Sequence, residues 1–286
     1  MDRAAFLLDA AVPGATRIIE VGPSISPIAP KGEGWRTTVV DHADADTLRR
    51  KYAKETTDRI EEVDIVWNGG ALHDQFPAES HGTYDLIIAS HVIEHLLDPI
   101  GLFMSADRLL SPSGKLALAV PDKRLCFDAL RPVSSVGQFL AAHLHPSRKH
   151  RVASVYDSVA YAVQRPDEAE VAWTKWMRPS IGLIAAPFEV NHLCATYDEA
   201  EGDYLDVHAW TFTPASFDLL VFELRAMGRT GWTIKARAEP GRVEFLVVLE
   251  RAQGPAPERS QIQSERQVML RRMLMEIRDQ ANWWGL

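Results

Sequence analysis

Residues 84–95 read YDLIIASHVIEH. The segment from Tyr84 to Ser90 is apolar on both of its alternating faces, as a parallel strand covered by helices on either side should be. The polar run HVIEH at 91–95 falls where that strand ends. In an open parallel sheet, ligands bind beyond the carboxyl ends of the strands. Upstream, RIIEVG (17–22) reads as a buried strand closed by a glycine turn, and TTVVD (37–41) as the next strand. Between them, PSISPIAPKGEG (23–34) holds three prolines and two glycines and reads as a long loop. DADTLRRKYAKE (44–55) supplies a helix with Asp44 or Asp46 as N-cap, and Val63 to Trp67 a third strand. Downstream, Pro99–Leu110 reads as one or two helices, residues 111–114 as a turn and Lys115–Val120 as a fifth strand. This alternation predicts a doubly wound, mostly parallel α/β sheet.

Residues 126–205 break the rhythm and read as a mostly helical insertion with loops. After it, Thr213-Pro214 opens a helix with Thr213 as N-cap and Pro214 at N1, stopped by Gly228. Strands at 232–236 and 243–250, with Pro240-Gly241 between them, predict an antiparallel closing hairpin. The expected organisation is therefore a domain over 1–250 interrupted by the insertion at 126–205, then a linker and helix over 251–286. At the amino terminus, residues 3–11 suggest a short amphipathic helix. In the tail, Ile262, Val268, Met269, Met273, Leu274 and Ile277 gather on one face of a helix from about 261 to 281. Such a stripe docks on its own domain or on a second subunit, so a homodimer through this helix is an expected partner arrangement.

A chain of 286 residues with 46% hydrophobic and 24% charged residues can bury a core, which excludes wholesale disorder, collagen and coiled coil. A net charge of −8 argues against general binding to nucleic acid or anionic membranes. Cys126 and Cys194 are too few for a cysteine-based zinc cluster. No segment approaches 18 apolar residues, and Asp9 interrupts the only apolar run near the start, so cytoplasmic residence is the expectation.

The rim of the sheet selects the chemistry-bearing residues. Glu20, Gly22 and Pro23 follow the first strand, Asp41 and His42 the second, and Asn68 the third. GxGxxG is absent, which disfavours NAD and FAD. An acid placed like Asp41 suits both hydroxyls of a ribose, or caps the next helix. HVIEH is literally HxxEH, the inverted order of a zinc peptidase, but Asp98-Pro99 ends any helix there within a few residues. No metal is expected, and Ser90, His91, Ile93 and His95 are read as lining a ligand pocket. His143, His145 and His150 read as a solvated loop.

Together, IIEVGPSISPI, VVD, YDLIIASHVIEH, LLSPSGKLALAVPDKR and HAWTFTPASFDLL resemble class I S-adenosylmethionine-dependent methyltransferases, with most likeness to a bacterial methyltransferase-11-like branch. The resemblance implies a Rossmann-like seven-stranded sheet and S-adenosylmethionine as cofactor. It implies that Glu20 and Gly22 hold the methionine part and Asp41 the ribose, while Ser90, His91, Ile93 and His95 line the pocket. Its common first-loop glycines are replaced here by Pro23, Ser24 and Ile25. Methylation of a small molecule or glycan is the expected function, and an inactive cofactor-binding scaffold the alternative. On the acceptor side, Asp122, Lys123, Arg124, Arg131 and Trp210 are the expected substrate contacts. His208 is the expected base, with Asp206 beside it and His192 as a further catalytic group, because a histidine next to an acid is readily tuned near neutrality.

Overall fold

The computed structural model describes all residues except 1, 9–10, 56, 167–169, 179, 200–203, 255–257 and 286. Residues 9–10, the centre of the acidic run at 197–206 and part of the linker thus lie outside the described residues, and the helix expected at 3–11 ends earlier, at Leu7. Along the chain come α1 (Arg3–Leu7), β1 (Arg17–Val21), β2 (Arg36–Asp41), α2 (Ala45–Lys51), β3 (Ile65–Val66), β4 (Tyr84–Ser90), α3 (Pro99–Leu109) and β5 (Leu110–Pro121). The insertion contributes α4 (Val136–Leu144), α5 (Val152–Ala160), a small hairpin of β6 (Val163–Gln164) and β7 (Gly182–Leu183), and α6 (Pro187–Thr196). Then follow α7 (Pro214–Ala226), β8 (Trp232–Ala238), β9 (Glu244–Arg251) and α8 (Arg259–Trp284).

Seven strands form one sheet in the order β3-β2-β1-β4-β5-β9-β8. The first five are mutually parallel, while β9 runs antiparallel to both β5 and β8. This is the doubly wound sheet with an antiparallel closing hairpin that the sequence predicts. Alternation along β1 and β4 divides their side chains between two cores: Ile18, Leu86 and Ile88 face α1, while Ile19, Val21, Ile87 and Ala89 face the larger core with α3 and α7. The strand order reverses between β1 and β4, where Val21 pairs with Ala89. The carboxyl ends at Gly22 and Ser90 therefore flank the crevice that such a switch point opens.

Local chemistry explains the boundaries. Asp44 caps α2 by accepting from the Thr47 amide at 2.7 Å, and Thr213 caps α7 with Pro214 following it. The turn expected at 111–114 lies inside β5, because a register shift between Tyr84–Leu110 and Leu86–Lys115 absorbs those residues as a bulge. HVIEH forms no α-helix: His91 takes φ +55° and residues Ile93–His95 make a single 3-10 turn. The histidines therefore do not share a helical face. Among the described residues no helix is long and apolar enough to cross a membrane.

The tail helix is tied down by polar contacts, and its expected stripe is divided: Ile262, Met269 and Met273 are half-buried. Glu276 accepts from the Ala215 amide at the start of α7, Arg272 lies 3.1 Å from Asp218, and Arg266 donates to Glu223. Trp283 and Trp284 pack on Leu125, Ala129, Val163 and Trp173. Val268, Leu274 and Ile277 stay exposed at 57%, 72% and 42%.

Candidate functional site

At the rim, Glu20 is buried and turns its carboxylate into the proline-rich loop, accepting from the amides of Ile28 at 2.6 Å and Ala29 at 3.0 Å. Burial pushes its pKa up to about 7 against the opposing pull of those two amides. Glu20 thus fixes the loop that follows Gly22. Gly22 has φ +65°, and a Cβ there would meet Val92 Cγ2 at 2.6 Å, so glycine is required by both conformation and space. Asp41 is buried. Its Oδ2 accepts from the amide and hydroxyl of Ser24, and its Oδ1 from the amide and ring Nδ1 of His42. Pro23 and Ser90 are half-buried, Ile93 is in the core, and Asn68 is exposed beside Gly69 and Gly70. His91 Nε2 lies 2.7 Å from Glu244 Oε2, and Arg3 holds the other oxygen of Glu244.

The acceptor-side residues are turned inward. Asp122 and Arg124 form a buried ion pair on each other, and Lys123 donates to the Ala129 carbonyl at 2.9 Å. Burial lowers the Lys123 ammonium to about 8. Arg131 bridges Asp128 and the His208 carbonyl, while Trp210 donates to the Leu96 carbonyl and packs at a tilt against Phe139. These side chains brace the floor of the insertion. His192 is exposed on α6, apart from the other expected catalytic groups.

Asp206 and His208 do not pair with each other. His208 Nδ1 meets Asp128 Oδ2 at 2.5 Å, and Asp206 Oδ1 lies 3.0 Å from His95 Nδ1. The amides of Ala209 and Trp210 both bond the Glu94 carbonyl, which straps the segment carrying His208 onto the 93–95 turn. As a result, both histidines present Nε2 to one carboxylate: His95 Nε2 is 3.8 Å and His208 Nε2 3.9 Å from Glu94 Oε1. The His91 Nδ1 is 3.5 Å from the same oxygen. Glu94 is 1% exposed, and neither of its oxygens has a hydrogen-bond partner.

The surroundings polarise this cluster. The His95 ring, 3.0 Å from Oδ1, and Lys51, 3.1 Å from Oδ2, hold Asp206 well below the usual carboxylate range against the opposing effect of its partial burial. Burial opposes the charged form of His95, but Asp206 and Glu94 raise its pKa. Asp128 is likewise lowered by His208 and Arg131 against the opposing effect of burial. Lys51 Nζ also lies 3.4 Å from the His42 ring, so polar groups run from Asp41 at the rim to the Glu94 cluster. His150, expected in a solvated loop, is buried against Tyr204, and burial takes its pKa down to about 4. His143 pairs with Asp98, and His145 is exposed.

Sequence reading missed Glu94, Glu244 and Lys51. Glu94 had a visible signal, a carboxylate between two histidines. The others lie far along the chain from their partners, 155 residues between Lys51 and Asp206 and 153 between Glu244 and His91.

Residues 4–166 match the family described as a methyltransferase domain. No curated protein matches the chain. Solved structures with similar folds include the CcbJ methyltransferase from Streptomyces caelestis, at 16% identity over 87% of this chain and 94% of that one, with a TM-score of 0.46. A protein described as a Zn-dependent alcohol dehydrogenase from Rhodobacter sphaeroides is 15% identical over 88% and 90%, with a TM-score of 0.46. An S-adenosylmethionine-dependent methyltransferase from Mesorhizobium loti is 15% identical over 87% and 98%, with a TM-score of 0.42.

Proposed function

The chain belongs to the methyltransferase domain family, and from that premise we propose that it transfers a methyl group from S-adenosylmethionine to an oxygen or nitrogen of a small molecule or glycan. The observation that carries this reading is Asp41, a buried carboxylate at the end of β2 beside the β1–β4 switch point. Two of its partners, the Ser24 hydroxyl and the ring of exposed His42, are groups that a vicinal diol replaces one for one. The donor set therefore fits a ribose. Gly22, Pro23, Asn68, Ser90, His91, Ile93 and His95 complete the proposed cofactor rim, with Glu20 shaping its first loop.

The cofactor supplies an electrophilic methyl on a sulfonium, so the protein must align the acceptor and, for a hydroxyl, take up its proton. Proton uptake is assigned to the cluster of Glu94, His95 and His208, with Asp206 and Asp128 orienting the two rings. Acceptor choice is assigned to the insertion that rises from the buried floor of Asp122, Lys123, Arg124, Arg131 and Trp210. In the same proposal, the exposed face of α8 contacts a second copy of the chain.

A scaffold that does not turn over is the second reading, favoured by one observation: Asp41 is already satisfied by protein donors. Calorimetric titration with S-adenosylmethionine and S-adenosylhomocysteine separates these outcomes. The proposal expects binding that Asp41→Ala weakens by about 10-fold or more, the loss of at least one charge-assisted hydrogen bond. Binding without transfer to any sugar or small-molecule acceptor supports the scaffold. No binding of either compound by the folded wild type sinks both.

A further inference from the structure

Glu94 poses an energetic problem. A carboxylate with 1% exposure and no hydrogen-bond partner on either oxygen is strongly disfavoured unless something compensates its charge. The neighbouring imidazoles do not do so by direct hydrogen bonding. His91 Nδ1 stops at 3.5 Å, and the Nε2 atoms of His95 and His208 at 3.8 and 3.9 Å, too far for a well-formed N–H···O bond. They nevertheless converge, with one donor atom from each of Glu94, His95 and His208 lying within 4.8 Å of the others. Two ligands bound tetrahedrally to one ion at about 2.0–2.1 Å lie roughly 3.4 Å apart, so a small inward shift brings this trio to coordination distance.

The outer groups match as well. A metal-bound imidazole usually has its second nitrogen held by a carboxylate, which fixes the ring and raises its basicity. Asp128 meets that condition with a hydrogen bond at His208 Nδ1, and Asp206 Oδ1 stands 3.0 Å from His95 Nδ1 as an ion-pair contact without hydrogen-bond geometry. Asp128 is itself held by Arg131, and Asp206 by Lys51. A buried pair, Asp128–His208, and a partly exposed one, Asp206–His95, thus flank one buried carboxylate that has no hydrogen-bond partner of its own.

We propose that Glu94, His95 Nε2 and His208 Nε2 bind one divalent transition-metal ion of the zinc class. Two imidazoles and a carboxylate are borderline-to-hard ligands, suited to zinc and to its neighbours iron, cobalt and manganese. Three protein ligands are the number found in sites that keep a position open for water or substrate. That open position deepens the methyl-transfer reading, on which this clause rests: an acceptor oxygen bound to the ion releases its proton to solvent more readily, so the ion takes the place of the free ring nitrogens as the group that activates the acceptor. Metal binding itself stands independently of that reading.

The test uses the full-length protein, stripped with a chelator and titrated with zinc chloride alone, followed by elemental analysis after desalting. Cobalt substitution adds a visible spectrum that reports coordination number. The expected result is one tightly held ion per chain and a four- or five-coordinate cobalt spectrum. Glu94→Gln and His208→Ala should abolish retention, whereas His145→Ala leaves it unchanged. Asp128→Asn and Asp206→Asn should weaken affinity by about 10–100-fold without altering stoichiometry. The inference is overturned if folded wild type retains no zinc, cobalt, iron or manganese, or if the His95→Ala/His208→Ala double variant still retains its ion. Should the variants misfold, wild-type stoichiometry and the cobalt spectrum decide alone. A protein that binds S-adenosylmethionine but no ion refutes this inference only. One that binds the ion but not the cofactor refutes only the methyltransferase reading.

Discussion

At Gly22, two constraints coincide. The φ of +65° is strained for any residue with a Cβ, and Val92 Cγ2 occupies the space that a Cβ would need. Gly22→Ala should therefore destabilise the protein by about 1–3 kcal/mol, from conformational strain plus overpacking. Chemical denaturation reads that loss directly. The companion Gly22→Ala/Val92→Ala should recover only part of it, because removing the Val92 methyls relieves the contact and leaves the backbone strain. Full recovery would mean that the contact alone dictates glycine. The tight approach of the two segments also explains the position of His91, which leaves β4 with φ +55° one residue before Val92. Gly22 was legible in the sequence as a turn at a strand end. Its steric partner was not, because Val92 follows a strand 70 residues later (92−22).

Elements were legible where one local rule dominated. β4 has the bounds that its doubly apolar run predicts, and α7 starts at the residue that Thr213-Pro214 marks. α8 shows what periodicity alone leaves out. Its existence follows from the sequence, though it runs from Arg259 to Trp284 and not from 261 to 281, and its polar attachments are made by Glu276, Arg272, Arg266 and Gln280, residues that an apolar stripe does not count. Glu276 accepts from an amide in the first turn of α7, where four N–H groups lack helical partners and negative charge is favoured. With that face anchored, Leu270, Leu274 and Ile277 occupy the i, i+4, i+7 positions of the outward face. A two-fold pairing of such helices is self-complementary, since each copy offers the same apolar row. Light scattering should accordingly give a dimer, and Leu274→Lys should shift it to a monomer with unchanged circular dichroism. A monomeric wild type at every accessible concentration would leave this face without its second copy.

At the scale of the whole molecule, the chain closes on itself across its insertion. β5 pairs with β4 on one side and with β9 on the other, in a register running from Leu116–Leu249 to Pro121–Glu244. The site is divided in the same way: Glu94, His95, Asp128 and His91 come from the first part of the chain, while Asp206, His208 and Glu244 come from the second. This division explains why the fold was legible and the site was not. Strand order follows from local patterns joined by topological rules, whereas the His208–Asp128 pair spans 80 residues and the His91–Glu244 pair 153. The family match ends at residue 166, yet the sheet does not. A fragment of residues 1–166 would leave the hydrogen-bonding edge of β5 exposed and the core around Leu116, Leu118 and Val120 uncovered on the side where Phe245 and Val247 pack. It should show no cooperative thermal transition and should aggregate. Co-expression with residues 204–286 should restore a folded complex, because that piece returns α7, β8, β9 and α8 together with His208 and Glu244. A sharp, reversible transition in the 1–166 fragment alone would mean that the antiparallel hairpin decorates an already complete domain and does not close it.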